Sequence, residues 1–203
     1  VTNPPIDPFR EKVVMSLQCP IGPEANILEP SARQVHRLWL KQPILSIGDL
    51  EVLKLTNHRD WTSYVIDITF PIAEGVRGCL DKLDQICVEA ETASKSHQIL
   101  IISDRKCSEM RAPLSTLLSL GAIHHHLIET RNRMKVALVV ETAEAREVHH
   151  VCVLLGYGAD AINPYLALEL AASLRDNGVL DSNLSDCVIY QNYSQAIQTG
   201  ISK

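Results

Sequence analysis

Aromatic residues are scarce in this chain. Phe, Trp and Tyr supply 4% of its 203 residues, against 46% for hydrophobic residues as a whole. A core built from this composition rests on Leu, Ile, Val and Ala. That suits helices packed on parallel strands, which read as nearly continuous aliphatic runs. Long apolar runs are also lacking: "ILII" and "VALVV" fall far short of the ~20 residues of a membrane-crossing helix. Basic residues are not in excess, with 19 Lys and Arg against 24 Asp and Glu and a net charge of −5. Without a basic stripe interleaved with aromatics, neither nucleic acid nor a membrane is an expected partner. The opening "VTNPPIDPFREK" lacks the apolar segment of a secretory signal. The expected compartment is therefore cytoplasmic, with an organellar parent left open. It also lacks a starting Met, which points to a fragment or a processed chain.

Other absences concern chemistry. The six cysteines show no CxxC spacing, so neither a zinc ribbon nor an iron–sulfur site is indicated, and buried reduced thiols are expected. No glycine-rich phosphate loop follows a strand-like run, since "GYGAD" leads from a helix into a strand, the reverse of a dinucleotide fingerprint. No GxSxG nucleophile elbow occurs either.

What is present is a regular alternation. Residues 1–30 carry six prolines, which fix φ and remove donors, so an extended arm is expected, with a turn or two of helix in "REKVVMSLQ". "SARQVHRLWLKQ" starts on Ser31 as an N-cap and stops before Pro43, a short helix, and "GDLEVLKLT" is a second amphipathic segment. From residue 61 strands are expected at 63–70, 98–103, 135–141 and in "ADAINP". Helices follow each: 75–96, 113–132 with Pro113 near its start, 143–156 closed by Gly156 or Gly158, and 165–178 closed by Gly178. The fold class is thus α/β, with alternating strand–helix units and a mostly parallel sheet. It resembles part of a (β/α) barrel, and one doubly wound sheet stays open as the alternative. The expected division is an arm with short helices at 1–60 and an α/β body at 61–203, together one structural unit. The tail "LSDCVIYQNYSQAIQTGISK" reads as a helix lacking a packing partner, which, with the apolar residues of the arm, suggests a homodimer.

Two groups of residues could carry function. Five of the eight histidines sit in one triplet, His124, His125 and His126, and one pair, His149 and His150. Adjacent residues on a helix fan out by roughly 100°, so neither group can hold an ion alone. If a metal bound, His125 or His126 would join His149 or His150 across two helices. The expectation is scaffold histidines and no metal ligands. The second group lies at the strand carboxyl ends, where α/β sheets bind ligands: Asp67, Ser103, Asp104, Arg105, Glu141, Thr142 and Asn163. Of these, Asp67, Asp104, Arg105, Glu141 and Asn163 are the ligand candidates, and N-capping of the next helix is the competing role. Used with the histidines, they would make a small-molecule-binding or metal-dependent α/β enzyme.

Longer stretches carry a resemblance. "QCPIGPEANILE", "KQPILS", "APLSTLLSLGAIHHHLIE" and above all "VVETAEAREVHHVCVLLGYGADAINPYLALEL" resemble the central domain of glutamate synthase, nearly from end to end and fading after about residue 180. The resemblance implies a non-catalytic α/β domain that links an amidotransferase domain to an FMN-binding synthase domain of the same polypeptide. It implies a parent enzyme that makes two L-glutamates from L-glutamine and 2-oxoglutarate. The parent's cofactors would be FMN, an iron–sulfur cluster, and FAD with NAD(P)H or ferredoxin. None of these has an expected site in this chain, no residue here is expected to be catalytic, and the chain alone is expected to be inactive.

Overall fold

Every second residue of the aliphatic stretches points to the same side, and that alternation divides the core in two. The computed structural model describes residues 10, 13–58 and 60–203, without the side chain of Arg33; the expected arm at 1–9 and at 11–12 lies outside them. The elements in chain order are β1 (Cys19–Ile21), β2 (Leu38–Leu40), α1 (Ile47–Lys54), β3 (Asn57–His58), β4 (Trp61–Asp67) and β5 (Thr69–Pro71). They continue with α2 (Gly75–Ala93), β6 (Ile99–Ser103), β7 (Arg111–Pro113), α3 (Thr116–Glu129), β8 (Ala137–Glu141) and α4 (Val148–Gly156). The last three are β9 (Ala161–Asn163), α5 (Tyr165–Asp176) and α6 (Asp186–Ile201). The central sheet runs β3-β4-β6-β8-β9, parallel from β4 onward, with β3 antiparallel at one edge. The α/β class and the mostly parallel sheet are as the sequence indicated.

The strands follow one another in sequence order without reversal. Right-handed crossovers then place successive helices on one face. Ile66, Leu100, Ile102, Leu138, Val140 and Ile162 meet α2, α3, α4 and α6 there. The intervening residues Ile99, Ile101, Val139 and Ala161 point to the opposite face, where Leu50 and Leu53 of α1 cover them with Leu45 and Trp61. Residues 43–45 run beside β9: Leu45 N–H donates to Ile162 O and Ile162 N–H to Pro43 O, both at 2.8 Å. From there α1 crosses the inner face toward β3 and β4 at the far edge. Its start is fixed by a capping box, with Asp49 N–H on Ser46 Oγ at 3.0 Å and Ser46 N–H on the Asp49 carboxylate at 3.2 Å.

Several expectations are corrected. "SARQVHRLWLKQ" is not a helix: it is a 3₁₀ turn at Ala32–Val35 followed by β2, which pairs antiparallel with β1. The strand expected over 63–70 breaks at Ile68, and β5 leaves the main sheet to pair with β7. Pro113 therefore closes β7, and α3 starts at Thr116. The helix expected from 143 starts at Val148, because the N–H groups of Ala143 and Glu144 bond side chains just past the ends of β6 and β8, Asp104 and Thr142. The cysteines are free but not buried: Cys19, Cys79 and Cys87 are half-buried, and Cys107, Cys152 and Cys187 are exposed. The glycine stops hold, since Gly158 and Gly178 have φ of 111° and 73° just past α4 and α5.

The tail does not lack a partner either. α6 packs on α4 and α5 and buries Ile189 and Ile197 to 6% and 4% exposure. Truncating Ile197 to Ala should therefore cost about 2–5 kcal/mol of stability. Urea unfolding of the variant is the check, and an unchanged midpoint would return the tail to an unpacked appendage.

Candidate functional site

Register brings the strand-end candidates into a row. Asp67 pairs with Ser103, Ser103 with Glu141, and Glu141 with Asn163, so four polar side chains lie side by side at the carboxyl edge. By the alternation they face inward, toward α1. Glu141 is 3% exposed and would be costly to bury unpaired. It accepts from Ser103 Oγ at 2.6 Å and from Lys54 Nζ at 2.9 Å. Burial works to lower the Lys54 pKa, but the hydrogen bonds and charges of Glu51 and Glu141 raise it overall, holding the ammonium form. Asn163 donates Nδ2–H to Leu45 O at 3.0 Å, tying β9 to the segment that leads into α1. Asp67 turns back on its own chain, accepting from Thr69 N–H at 2.9 Å and Thr69 Oγ at 2.7 Å. Burial raises its pKa, but the Thr69 bonds and the charges of Lys106 and Arg111 bring it below its ordinary value.

The next residue along each strand points the other way. Asp104 accepts from Thr142 Oγ at 2.9 Å and Ala143 N–H at 2.8 Å. Thr142 meets Thr116 Oγ at 2.8 Å, and Glu144 accepts from Thr116 N–H at 2.8 Å. Ser115, at the N-cap of α3, makes no side-chain capping bond, so the Glu144 carboxylate serves that helix end in its place. These side chains thus make the capping and tying bonds of the competing role. Asp104 Oδ1 and Asn163 Oδ1 are buried without a donor. Burial, then the nearby Glu144 charge, outweigh the bonds Asp104 accepts and push its carboxyl up. Burial, then the Asp104 carboxylate beside it, likewise raise the Tyr165 phenol. Arg105 stands apart from the row, paired with Glu169 at 2.7 Å and lying 4.2 Å over the Tyr165 ring.

All five candidates make bonds within the fold, with Asp104 Oδ1 and Asn163 Oδ1 left over, and none lines either of two open cavities beside the sheet. A phosphate at the strand ends would meet the acceptors of Asp104, Glu141 and Glu144, with no glycine-rich ring of N–H donors, so this set does not fit a flavin phosphate. Lys54, Thr116, Glu144 and Tyr165 were not singled out by the sequence. Lys54 had no local signal, because its partner Glu141 is 87 residues away.

The histidine groups point to different places. His126 meets Glu91 of α2 at 3.0 Å, and His124 accepts from Arg133 Nε–H at 3.0 Å. His125 stacks edge-on against His124, with ring centroids 5.3 Å apart. His149 and His150 line a cavity of about 460 Å³ beside Ser115 and Leu117, toward the other end of α3. Among the described residues no group of three or more His, Cys, Asp or Glu side chains is placed to hold a metal ion. No helix among them is long and apolar enough to cross a membrane.

Comparison with known proteins covers the whole chain. Residues 1–203 match the family described as the glutamate synthase central domain, including the tail where the likeness was expected to fade. The chain is 44% identical to the NADH glutamate synthase of Schizosaccharomyces pombe and 45% identical to that of Saccharomyces cerevisiae. It is 43% identical to the large chain of the NADPH glutamate synthase of Bacillus subtilis. Each match takes in 100% of this chain but only 10%, 10% and 13% of the relative, so the chain spans about a tenth of their length.

The raised Asp104 pKa has a sign. The folded state favours the protonated carboxyl, so this group's contribution is greatest below its ordinary 3.8 and is lost as pH rises through the folded value. Asn keeps both accepted bonds and cannot ionise. The stability of Asp104→Asn relative to the unsubstituted chain should therefore rise between pH 4 and pH 7.5 in urea titrations. A difference that stays flat or falls would refute the assignment.

Proposed function

The chain belongs to the glutamate synthase central-domain family, and from that premise we propose that it is a non-catalytic connecting domain. In this reading it joins an amidotransferase domain and an FMN-binding synthase domain of one cytoplasmic polypeptide. The whole enzyme converts L-glutamine and 2-oxoglutarate to two L-glutamates. FMN, the iron–sulfur cluster and FAD with its NAD(P)H or ferredoxin donor are held by other parts of that enzyme.

One observation supports the connecting role above the others: the polar side chains at the strand carboxyl ends bond mainly within the fold itself. In α/β enzymes that edge is where catalytic side chains project into an open site. Here Glu141 is closed off by Lys54 and Ser103, and Asp104 by Thr142 and the Ala143 backbone. Relatives named for NADH, NADPH and ferredoxin all match this chain over its whole length, which fits a part that does not touch the donor.

The purified chain should form no glutamate from glutamine and 2-oxoglutarate, with FMN and dithionite supplied, and FMN should leave its melting temperature unchanged. In the intact synthase, Asn163→Ala should leave kcat per folded enzyme within about twofold, because Asn163 touches no reacting group. Turnover by the chain above a protein-free control, or a large kcat loss in a normally folded Asn163→Ala enzyme, would overturn the reading.

A further inference from the structure

At the amino ends of the strands, opposite the polar row, a cavity of about 490 Å³ opens between the arm and the turn from α3 to β8. Leu127 and Val136 make a buried apolar floor, and Ile128 and Met134 form a half-exposed rim. Three arginines surround it, and they are not equivalent. Arg133 is fully committed: Nε–H goes to His124 Nδ1, Nη1 to Val136 O, and Nη2 to Gly158 O and Asp160 at 3.0 and 3.1 Å. Arg37 pairs Nη1 with Glu24 at 2.8 Å and Nη2 with Gly22 O at 3.3 Å, but its Nε–H is buried without an acceptor.

His124 adds a donor of its own. Arg133 Nε–H can only donate, so His124 Nδ1 must accept, which places the proton of the neutral ring on Nε2. Burial, then the Arg133 charge, lower the His124 pKa and keep the ring neutral. Gly158 packs so closely under this ring that a Cβ there would overlap it, so the imidazole is held in place.

Arg131 is the third. α3 ends in a Schellman motif, with Arg131 N–H on Ile128 O at 3.0 Å and Asn132 N–H on Leu127 O at 2.7 Å. The C′ residue of that motif takes a left-handed φ, here 59°, and glycine is the residue it ordinarily uses. An arginine in this conformation is strained by roughly 1–2 kcal/mol. A cation favours a helix carboxyl end anywhere in the last turn, so the helix dipole alone does not require it at C′. The residue lines the cavity.

The lining therefore sets three guanidinium groups and one imidazole against two carboxylates. Glu24 and Asp160 offset two of the three guanidinium charges, leaving one positive charge over an apolar floor. We propose that this cavity is a binding site for a small amphipathic monoanion, a carboxylate on an apolar chain. The carboxylate would take Arg131 and the His124 Nε2–H, and the chain would lie against the accessible Ile128 and Met134. The volume is within the usual ~300–1,000 Å³ of small-molecule sites. This site stands apart from the connecting role and does not depend on it.

The test uses the 203-residue chain and octanoate as probe, followed by calorimetry and by ¹⁵N shifts of residues 124–136, with 1-octanol and octylammonium as controls. Octanoate should bind saturably, octanol about tenfold more weakly or worse, and octylammonium not at all. Arg131→Gly restores the residue the backbone prefers, so it should melt no lower than the parent and yet bind octanoate about tenfold more weakly. Equal binding of octanoate and octanol, absence of saturable octanoate binding, unchanged affinity in Arg131→Gly, or a lower melting temperature in that variant would each overturn the proposal.

Discussion

A parallel sheet whose strands follow one another without reversal has only one face for its crossover helices, and the other face must be covered by something else. Here that cover is α1, which seals Ile99, Ile101, Val139 and Ala161 with Leu50 and Leu53. In a closed (β/α)₈ barrel the equivalent side chains would face those of further strands. In this chain the space is filled from the amino-terminal side, by a helix that begins where residues 43–45 lie along β9 and ends next to β4. The arrangement resembles part of a barrel whose inner side is already covered.

The chemistry of the strand ends follows from that filling. Inward-facing polar residues at the carboxyl edge look onto α1 and its approach, not onto an open mouth. Lys54, in the last turn of α1, is positioned to meet Glu141, and Leu45 offers its carbonyl to Asn163. Of the outward residues, Thr142 meets Thr116 at the start of α3 and donates to Asp104. Groups that in another α/β protein would be a substrate site therefore hold the covering helix and the next helix in register. An edge filled in this way fits the proposed connecting role.

The sequence disclosed the alternation because the inner strands are aliphatic runs and the helices are bounded by residues such as Gly158 and Gly178. It also pointed to Asp67, Glu141 and Asn163, since strand ends can be read from where those runs stop. Their partners could not be read, because Lys54 lies 87 residues from Glu141 and no local pattern links them. The arm misled for a related reason. "SARQVHRLWLKQ" carries a helix cap and helical spacing, but pairing of Leu38–Leu40 with Cys19–Ile21 overrides that preference. The tail likewise looked unpartnered only because its partners, α4 and α5, are identified by packing and not by any pattern of its own. The donor-rich cavity joins residues 22–37 to residues 124–136 and is visible only in three dimensions.

The central claim is that α1 is an integral layer of the core. Native-state hydrogen exchange across a denaturant series tests it most directly, by comparing amides of α1 with those of β6 and β8. If the inner face depends on α1, the slowest amides of all three converge on one global unfolding free energy with the same denaturant dependence. If α1 amides exchange through a small, denaturant-independent opening while the strands stay protected, α1 is a detachable cover and the filled-barrel description is wrong.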